Sequence, residues 1–226
     1  MATDVIVALD FPSAKEVYSF LDKFEEEKLF VKIGMELFYA EGPEIVREIK
    51  RRGHKIFLDL KLHDIPNTVM KAMASLSKLD VDMCNLHAGG GSKMMKAALK
   101  GLTRADGTRP LLIAVTQLTS TDSYMLKNEL LISESMEKTV ESYALNAKNS
   151  GLDGVVCSPL EAAKVHSACG NSFLTVTPGV RFAGGEKGDQ KRVTTPEEAR
   201  KIGRPITAAN DPVAAYKLAK KQFLGE

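Results

Sequence analysis

Short apolar runs alternate with amphipathic stretches along most of the chain. Each run ends in a polar residue or a glycine, a pattern typical of strands that are buried on both faces of a parallel sheet. Seven strands are predicted in this way, at residues 5–9, 29–31, 55–61, 83–86, 111–115, 154–157 and 173–176. Between them, apolar positions recur at helical spacing, which predicts helices at residues 13–25, 42–52, 68–78, 92–102, 133–150 and 160–168.

The alternation of strands and helices predicts repeated βα units in a single domain over residues 1–226. Such units build an α/β fold, and the favoured architecture is a (β/α)8 TIM barrel. An open doubly wound sheet is the alternative. It is disfavoured because no Gly-x-Gly-x-x-Gly motif follows the first strand.

The C-terminal region lacks a recognisable eighth strand. A helix is predicted over residues 196–202, and the chain then continues directly into Gly203-Arg204-Pro205-Ile206-Thr207. No apolar run of strand length lies beyond Val180 outside the predicted helices. We therefore expect the eighth strand to be absent, either from the protein itself or because residues are missing from the sequence. An intact mass equal to the calculated 24.6 kDa would exclude the second explanation.

Composition excludes several functional classes. The chain is 44% hydrophobic and 27% charged, as in ordinary soluble proteins. A net charge of +2 gives no signal for nucleic acid, and no apolar run approaches the ~20 residues of a membrane helix. The N-terminus does not resemble a signal peptide. Three widely spaced cysteines predict free thiols, so we expect a cytoplasmic protein.

Charged residues are concentrated where the predicted strands end. Asp59 and Lys61 are two residues apart at the end of the third strand, so both side chains project to one face. Asp64 adds a second carboxylate. Burying such charges is costly unless they compensate each other or take part in chemistry. Because active sites of barrels lie at the carboxyl ends of the strands, we expect Asp10 and Lys32 to join them.

A candidate phosphate site follows the last predicted helix. Gly203 allows backbone N–H groups to approach an anion, and Arg204 offers a forked donor. In barrels the last βα loops frequently bind phosphate. Arg181 and Gln190 belong to the preceding segment, residues 181–191, whose glycines and charges predict a mobile lid.

The four histidines do not form a metal-binding motif, so no metal site is predicted. We expect His54 and His166 to lie at the surface. His63 lies within the charged segment, where we expect it to pack or to form a hydrogen bond rather than to catalyse. No serine or cysteine nucleophile motif occurs.

The sequence Asp-Leu-Lys-Leu-His-Asp-Ile-Pro-Asn-Thr at residues 59–68 resembles the orotidine 5′-monophosphate decarboxylases. The similarity extends along nearly the whole chain, through residues 8–10, 30–34, 114–120, 177–181 and 203–207. The resemblance implies a homodimeric barrel that converts orotidine 5′-monophosphate to UMP and CO2 in pyrimidine biosynthesis. It also implies a lyase that needs neither a metal nor an organic cofactor.

The resemblance further implies individual roles for the site residues. Lys61 would deliver a proton to C6 of the pyrimidine, and Asp59 would lie beside the substrate carboxylate. Lys32 and Asp64 would complete the charge network. The implied substrate-binding residues are Asp10, Lys32, Ile65, Thr68, Thr119, Pro178, Arg181, Gln190, Gly203 and Arg204. Of these residues, Ile65 and Thr68 would reach the site of the neighbouring subunit together with Asp64.

The chain departs from this family near its C-terminus. Family members carry an apolar strand between the last predicted helix and the Gly-Arg turn, whereas here the two are fused. Gly203 can therefore match either of two family glycines, and the phosphate site is the function most affected.

Two other functions remain open. The chain also resembles sugar-phosphate decarboxylases and aldolases of the wider suprafamily, which would use Mg²⁺. The segment Ile65-Pro66-Asn67-Thr68 and the lack of further acidic ligands disfavour this alternative. The missing strand favours a non-catalytic nucleotide-binding paralogue, which would bind UMP without turnover.

Overall fold

Eight parallel strands form one sheet in the computed structural model, which describes residues 5–24, 26–178, 201–202 and 204–224. The order across the sheet is β7-β6-β5-β4-β3-β2-β1-β8. The strands are β1 (Ile6–Ala8), β2 (Phe30–Gly34), β3 (Lys55–Leu62), β4 (Met83–His87), β5 (Leu111–Val115), β6 (Gly154–Val156), β7 (Leu174–Val176) and β8 (Lys201–Ile202). This arrangement confirms the predicted α/β TIM-barrel fold.

Helices connect the strands. They are α1 (Ala14–Leu21), α2 (Met35–Glu41), α3 (Pro43–Arg51), α4 (Pro66–Leu76), α5 (Gly91–Leu102), α6 (Ser123–Asn128), α7 (Met136–Asn149), α8 (Pro159–Cys169), α9 (Arg204–Thr207) and α10 (Pro212–Leu224). Short 3-10 helices cover Ser77–Leu79 and Ala88–Gly90. The sequence analysis did not predict α2, α6, α9 and α10.

The expected absence of an eighth strand is wrong. Lys201 and Ile202 form β8 and pair in parallel with Ile6 and Val7 of β1. These two residues were expected to end a helix over residues 196–202, of which 196–200 lie outside the described residues. A strand of two residues is too short to produce a recognisable apolar pattern, which explains the error.

The inward face of the sheet carries an apolar layer and, above it, a polar layer. One apolar residue from each of β1 to β7 contributes to the inner cluster: Ile6, Phe30, Phe57, Met83, Ile113, Val156 and Val176. Side chains two positions apart on a strand share a face. Lys32, Asp59 and Asn85 follow Phe30, Phe57 and Met83 by two residues, so they continue the same face towards the carboxyl ends.

The opposite faces of the strands pack against the helices in a second, larger core. Two glycines allow close packing there. A side chain at Gly101 of α5 would collide with the backbone carbonyl of Met70 on α4, and one at Gly154 of β6 would collide with that of Leu174 on β7. The larger core thus supports the strands from outside and fixes where their carboxyl ends lie.

Candidate active site

Four charged side chains form a continuous line at the carboxyl ends of β1, β2 and β3. Lys32 Nζ lies 3.3 Å from Asp10 Oδ1 and 3.5 Å from Asp59 Oδ2. The other oxygen of Asp59, Oδ1, lies 2.7 Å from Lys61 Nζ. Negative and positive groups therefore alternate, and each charge has at least one neighbour of opposite sign. The structure brings these four predicted residues together as expected from the sequence.

The two central members of this line are buried. Lys32 is 7% exposed and Asp59 is 5% exposed, whereas Lys61 is half-buried and Asp10 is exposed. A buried charge is tolerated only when opposite charges and hydrogen bonds compensate for the lost hydration. A side chain at Gly34 would come within 3.0 Å of Lys32 Nζ, so glycine leaves room for this ammonium group.

The backbone of β3 is irregular at the site. Leu58 pairs with Cys84 and Leu62 pairs with Leu86, so three residues of β3 lie opposite a single residue of β4. Lys61 lies within this bulge and has a φ of 53°. For a residue other than glycine this left-handed conformation costs roughly 1–2 kcal/mol. Such strain is often found at functional sites, where surrounding contacts maintain it.

Asn85 is the residue of β4 that faces the bulge, and the sequence analysis did not identify it. Its Oδ1 accepts a hydrogen bond from the backbone N–H of Lys61 at 2.8 Å. Its Nδ2 donates to Asp59 Oδ1 at 2.6 Å. The side chain is 1% exposed. The one available signal was its position, two residues after Met83 on the inward face of a strand.

Asp64 lies apart from the line of charges in the described part of the chain. Its carboxylate is exposed and accepts the backbone N–H of Ile65 at 2.6 Å, and it forms no salt bridge with another described residue. Ile65 is 67% exposed, and Thr68 in the first turn of α4 is also exposed. In the described part of a single chain, Asp64, Ile65 and Thr68 form no hydrogen bond or salt bridge with the line of charges.

Two histidine rings border the site near the end of β4. The rings of His63 and His87 are 5.7 Å apart. Burial lowers the pKa of His87 below its usual value, and the nearby His63 and Lys61 lower the pKa further, while Asp59 opposes them. His87 is therefore neutral at neutral pH and adds no charge beside Lys61. His63 packs against this ring, as the sequence predicted.

The expectation that His54 and His166 are surface residues is wrong. His54 is 3% exposed, and its Nδ1 accepts the backbone N–H of Leu29 at 3.1 Å. His166 is half-buried, with Nε2 3.1 Å from Thr175 Oγ1. The hydrogen bond of His54 offsets the cost of its burial. His166 has a partner for Nε2, whereas its buried Nδ1 has none among the described residues.

Buried hydroxyl groups lie at the ends of β5 and β7. Thr116 directly follows β5, and its Oγ1 donates to the carbonyl of Val156 at 2.9 Å. Thr119, the predicted contact for the base, is also buried. Pro178 is half-buried two residues after β7. These positions fit the barrel end at which the charges lie.

The predicted phosphate site lies mostly outside the described residues. This holds for Arg181, Gln190, Gly203 and the predicted lid over residues 181–191. Arg204 begins α9, but its side chain also lies outside the described part. The role of these residues stays a prediction.

The described residues contain no group of three or more histidine, cysteine or acidic side chains that could hold a metal ion. No helix among them has the length and apolar character needed to cross a membrane. Cys84, Cys157 and Cys169 are buried thiols outside any disulfide. Burial raises the pKa of the Cys84 thiol to about 12, so this side chain is an inert part of the core.

Comparisons with known proteins agree with the site. The sequence model described as "Orotidine 5'-phosphate decarboxylase / HUMPS family" matches residues 3–219. The proteins named orotidine 5'-phosphate decarboxylase in Bacillus cereus (strain G9842) and Bacillus cytotoxicus are each 57% identical to this chain. Each of these alignments covers 100% of the chain and 99% of the relative.

Solved structures show the same similarity. The crystal structure of orotidine 5'-phosphate decarboxylase from Lactobacillus acidophilus superposes with a TM-score of 0.86 at 44% identity, covering 98% of this chain and 99% of the other. An uncharacterised conserved protein from Geobacillus kaustophilus gives a TM-score of 0.86 at 50% identity, covering 97% and 99%.

The sequence alignments also show that the chain is internally shorter than its relatives. They extend over 235 positions, nine more than the 226 residues of the chain, although the whole chain is covered. The relatives therefore have at least nine residues without a counterpart here. The sequence analysis expected residues to be absent near the C-terminus, and this difference in length agrees with that expectation.

Proposed function

Because the chain belongs to the orotidine 5'-phosphate decarboxylase / HUMPS family, we propose that it is a carboxy-lyase that converts orotidine 5′-monophosphate to UMP and CO2. The observation that carries this proposal is the line of Asp10, Lys32, Asp59 and Lys61 at the mouth of the barrel. The names of relatives at 57% identity support the same reaction. The product UMP places the enzyme in pyrimidine biosynthesis.

Lys61 is the proton donor in the proposed mechanism. The bond between C6 of the pyrimidine and the carboxylate carbon breaks, CO2 leaves, and the electron pair stays on C6. A fixed ammonium group stabilises this developing negative charge and then transfers a proton to C6. Lys61 suits this role because its Nζ is held 2.7 Å from Asp59 and its side chain is 25% exposed, which allows reprotonation from solvent.

Asp59 acts on the substrate carboxylate. Its side chain is buried and anchored by Lys32, Lys61 and Asn85, so it cannot easily turn away from a second negative group. Repulsion between the two carboxylates disappears as CO2 forms, which favours the transition state over the bound substrate. Asp10 and Lys32 lie at the other end of the line and bind the ribose hydroxyls.

The phosphate group contributes binding energy far from the reacting carbon. Arg181, Gln190, Gly203 and Arg204 are the proposed contacts, with residues 181–191 as a lid. Binding energy from such a remote group orients the base and raises the rate without taking part in the chemistry. Thr119 and Pro178 are the proposed contacts on the side of the base.

We further propose that two copies of the chain form a homodimer with shared active sites. Asp64, Ile65 and Thr68 are exposed, so they are available to a partner. Several other large apolar side chains are exposed in segments that follow the carboxyl ends of strands: Met35, Tyr39, Leu118, Tyr124 and Leu131. An exposed apolar surface around a site favours association. In a two-fold dimer, each Asp64 adds a carboxylate to the line of charges in its partner.

The proposed activity can be tested by following the loss of the ultraviolet absorbance of orotidine 5′-monophosphate in the presence of a chelator. We expect turnover by the parent protein and a fall of kcat by at least about 10²–10⁴-fold in Lys61→Ala. UMP binding by both proteins, measured by calorimetry, shows that the site is intact. A parent protein that binds UMP without turnover would instead be a binding paralogue, and activity that requires Mg²⁺ would indicate a sugar-phosphate enzyme.

A further inference from the structure

Asn85 is buried in the site and connects two of its charged residues. One end of its side chain accepts the backbone N–H of Lys61, and the other end donates to the carboxylate of Asp59. A buried polar side chain is costly unless its hydrogen bonds are formed. Both ends of this amide form hydrogen bonds with residues of the proposed mechanism, so a substitution of Asn85 would act mainly on Lys61 and Asp59.

An amide matches both partners of this position at neutral pH. A backbone N–H needs an acceptor, and a carboxylate needs a donor, so the orientation of the amide is fixed by its two partners. Aspartate would place a carboxylate oxygen next to Asp59, where Nδ2 now lies 2.6 Å from Oδ1. Leucine or alanine would leave the N–H of Lys61 without this partner.

The contact with Lys61 also maintains an unfavourable backbone conformation. Lys61 has a φ of 53° within the bulge of β3, which directs its side chain differently from a regular strand residue. Without the bulge, Asp59 and Lys61 would be two residues apart on a regular strand, and the backbone of Lys61 would have the extended conformation. The hydrogen bond from its N–H to Asn85 Oδ1 stabilises the bulged alternative.

We infer that Asn85 is a positioning residue. It holds the backbone of Lys61 and the carboxylate of Asp59 in the positions that proton transfer to C6 requires. This inference rests on the proposed decarboxylase function and adds to it a residue that does not touch the substrate. Asn85 anchors the backbone of the proton donor and the carboxylate that holds its ammonium group. Its loss therefore affects the chemical step more than nucleotide binding.

The first test compares kcat with UMP affinity in Asn85→Ala. A misplacement of about 1 Å in a catalytic group can cost about 100-fold in rate, so we expect kcat to fall by about 100-fold. The dissociation constant of UMP should stay within a few-fold of the parent value, because the ribose and phosphate contacts are untouched. A folded variant that retains the parent kcat, or that loses UMP binding in proportion, would overturn the inference.

The second test uses the pH profile of Asn85→Asp. Two carboxylates at this distance cannot both be ionised readily, and the cations around Asp59 favour leaving the proton on the introduced aspartic acid. In its protonated form the new side chain again donates to Asp59. We expect kcat relative to the parent to rise as the pH is lowered from 9 to 5, and no such rise for Asn85→Ala. If the ratio of variant kcat to parent kcat were well below one and independent of pH for both variants, this would contradict the proposed role of residue 85 as a hydrogen-bond donor to Asp59.

Asn171→Asp is the matched control. Asn171 is exposed in the turn that precedes β7, at the opposite end of this strand from Pro178, and the substitution makes the same change of charge. Its kcat and pH profile should equal those of the parent. A similar pH effect in this control would show that the response of Asn85→Asp is not local.

A crystal structure of Asn85→Ala provides a measurement that does not depend on activity. We expect Lys61 to leave the left-handed conformation and its Nζ to move away from Asp59 Oδ1. An unchanged bulge and ion pair would refute the inference even if the parent decarboxylates its substrate. Conversely, a parent without turnover would refute the proposed function, while this comparison would still decide whether Asn85 positions Lys61.

Discussion

Asp59 is the carboxylate on which the other charged groups of the site converge. Its two oxygens face Lys32 and Lys61, and one of them also accepts a hydrogen bond from Asn85. Because Asp59 is buried, removing its charge leaves two ammonium groups with less compensation. The proposed mechanism gives this charge a second role, since it repels the carboxylate of the substrate.

We therefore predict that Asp59→Asn lowers kcat by about 100-fold or more without raising the KM for orotidine 5′-monophosphate. A lower kcat without a higher KM is the pattern expected when ground-state strain is removed together with transition-state stabilisation. Steady-state kinetics on the variant measure both values. Asp106→Asn, in an exposed loop, is the control and should match the parent; a KM that rises in parallel with the loss of kcat would contradict the proposed repulsion.

The buried His54 predicts a pH dependence of stability. Burial lowers the pKa of His54 below its usual value, and Lys28 and Arg52 lower the pKa further. Protonation would also place a hydrogen on Nδ1 and break its bond with Leu29. A His pKa that is lower in the folded state means that the stability is present above the unfolded pKa of ~6.5 and is lost as the pH falls towards the folded pKa.

Urea unfolding between pH 8 and pH 5 tests this dependence. The free energy of unfolding of the parent should fall over this range by more than that of His54→Asn, whose amide oxygen can occupy the place of Nδ1. The exposed His63 gives the control, and His63→Asn should keep the parent dependence. Equal slopes for the parent and His54→Asn would refute the assignment to His54.

At the scale of single residues, the charges and the alternation of side chains along a strand made the site partly predictable. Asp59 and Lys61 were recognised because residues two apart on a regular strand would put both charges on one face, although the structure brings them together through a bulge. Asn85 was missed because a neutral amide in the run Met-Cys-Asn-Leu carries no charge signal. Its importance depends on the neighbouring strand and on a bulge, and neither is visible in local sequence.

The helices that follow β3 and β4 pack unusually closely. A Cβ atom at Gly101 of α5 would lie 2.0 Å from the carbonyl oxygen of Met70 on α4. Such a contact with backbone cannot be relieved by a change of rotamer. The helix α4 begins directly after the exposed residues Asp64 and Ile65, so the spacing of these helices also affects the proposed dimer segment.

We predict that Gly101→Ala destabilises the protein by about 1–3 kcal/mol, as overpacking does. Replacing glycine by alanine within a helix usually stabilises a protein by about 1 kcal/mol, so the expected sign is reversed here. Thermal or urea unfolding measures the change. The control Gly89→Ala meets only a side-chain atom of His63 at 3.9 Å and should stay within about 0.5 kcal/mol of the parent. A stabilised Gly101→Ala would show that the helices can separate freely.

Elements were predictable where an apolar run or a helical period marked them, and length alone did not decide this, since the 13-residue α10 was missed. The seven strands of the sequence analysis all form, and β5 covers the predicted residues 111–115. β8 was missed because two residues cannot show a period, and its residues read equally well as the end of a helix. α2 was missed because it begins at Met35, directly after β2, with no loop to mark its start.

At the scale of the whole molecule, the exposed apolar residues predict association. Ile65 is the exposed apolar residue closest in sequence to the catalytic segment. A charge at this position would be buried without a partner in the proposed dimer, which is strongly unfavourable. The same charge would be harmless in a monomer.

We therefore predict that Ile65→Asp lowers the solution mass from that of two chains towards that of one and reduces activity in parallel. Sedimentation over a range of protein concentrations, combined with the decarboxylase assay, measures both effects. Leu218→Asp, on the exposed side of α10, should change neither. A monomeric parent with full activity would reject the shared site.

The pairing between β1 and β8 has a consequence for synthesis of the protein on the ribosome. Every other pair of neighbouring strands is consecutive in sequence, whereas Ile6 pairs with Lys201 near the other end of the chain. Strands β1 to β7 can therefore assemble in the order in which they emerge from the ribosome, but this edge of β1 stays open until residues 201–202 have also emerged. Open edges of this kind can recruit other chains, so the nascent protein is vulnerable to aggregation in the interval before β8 pairs with β1.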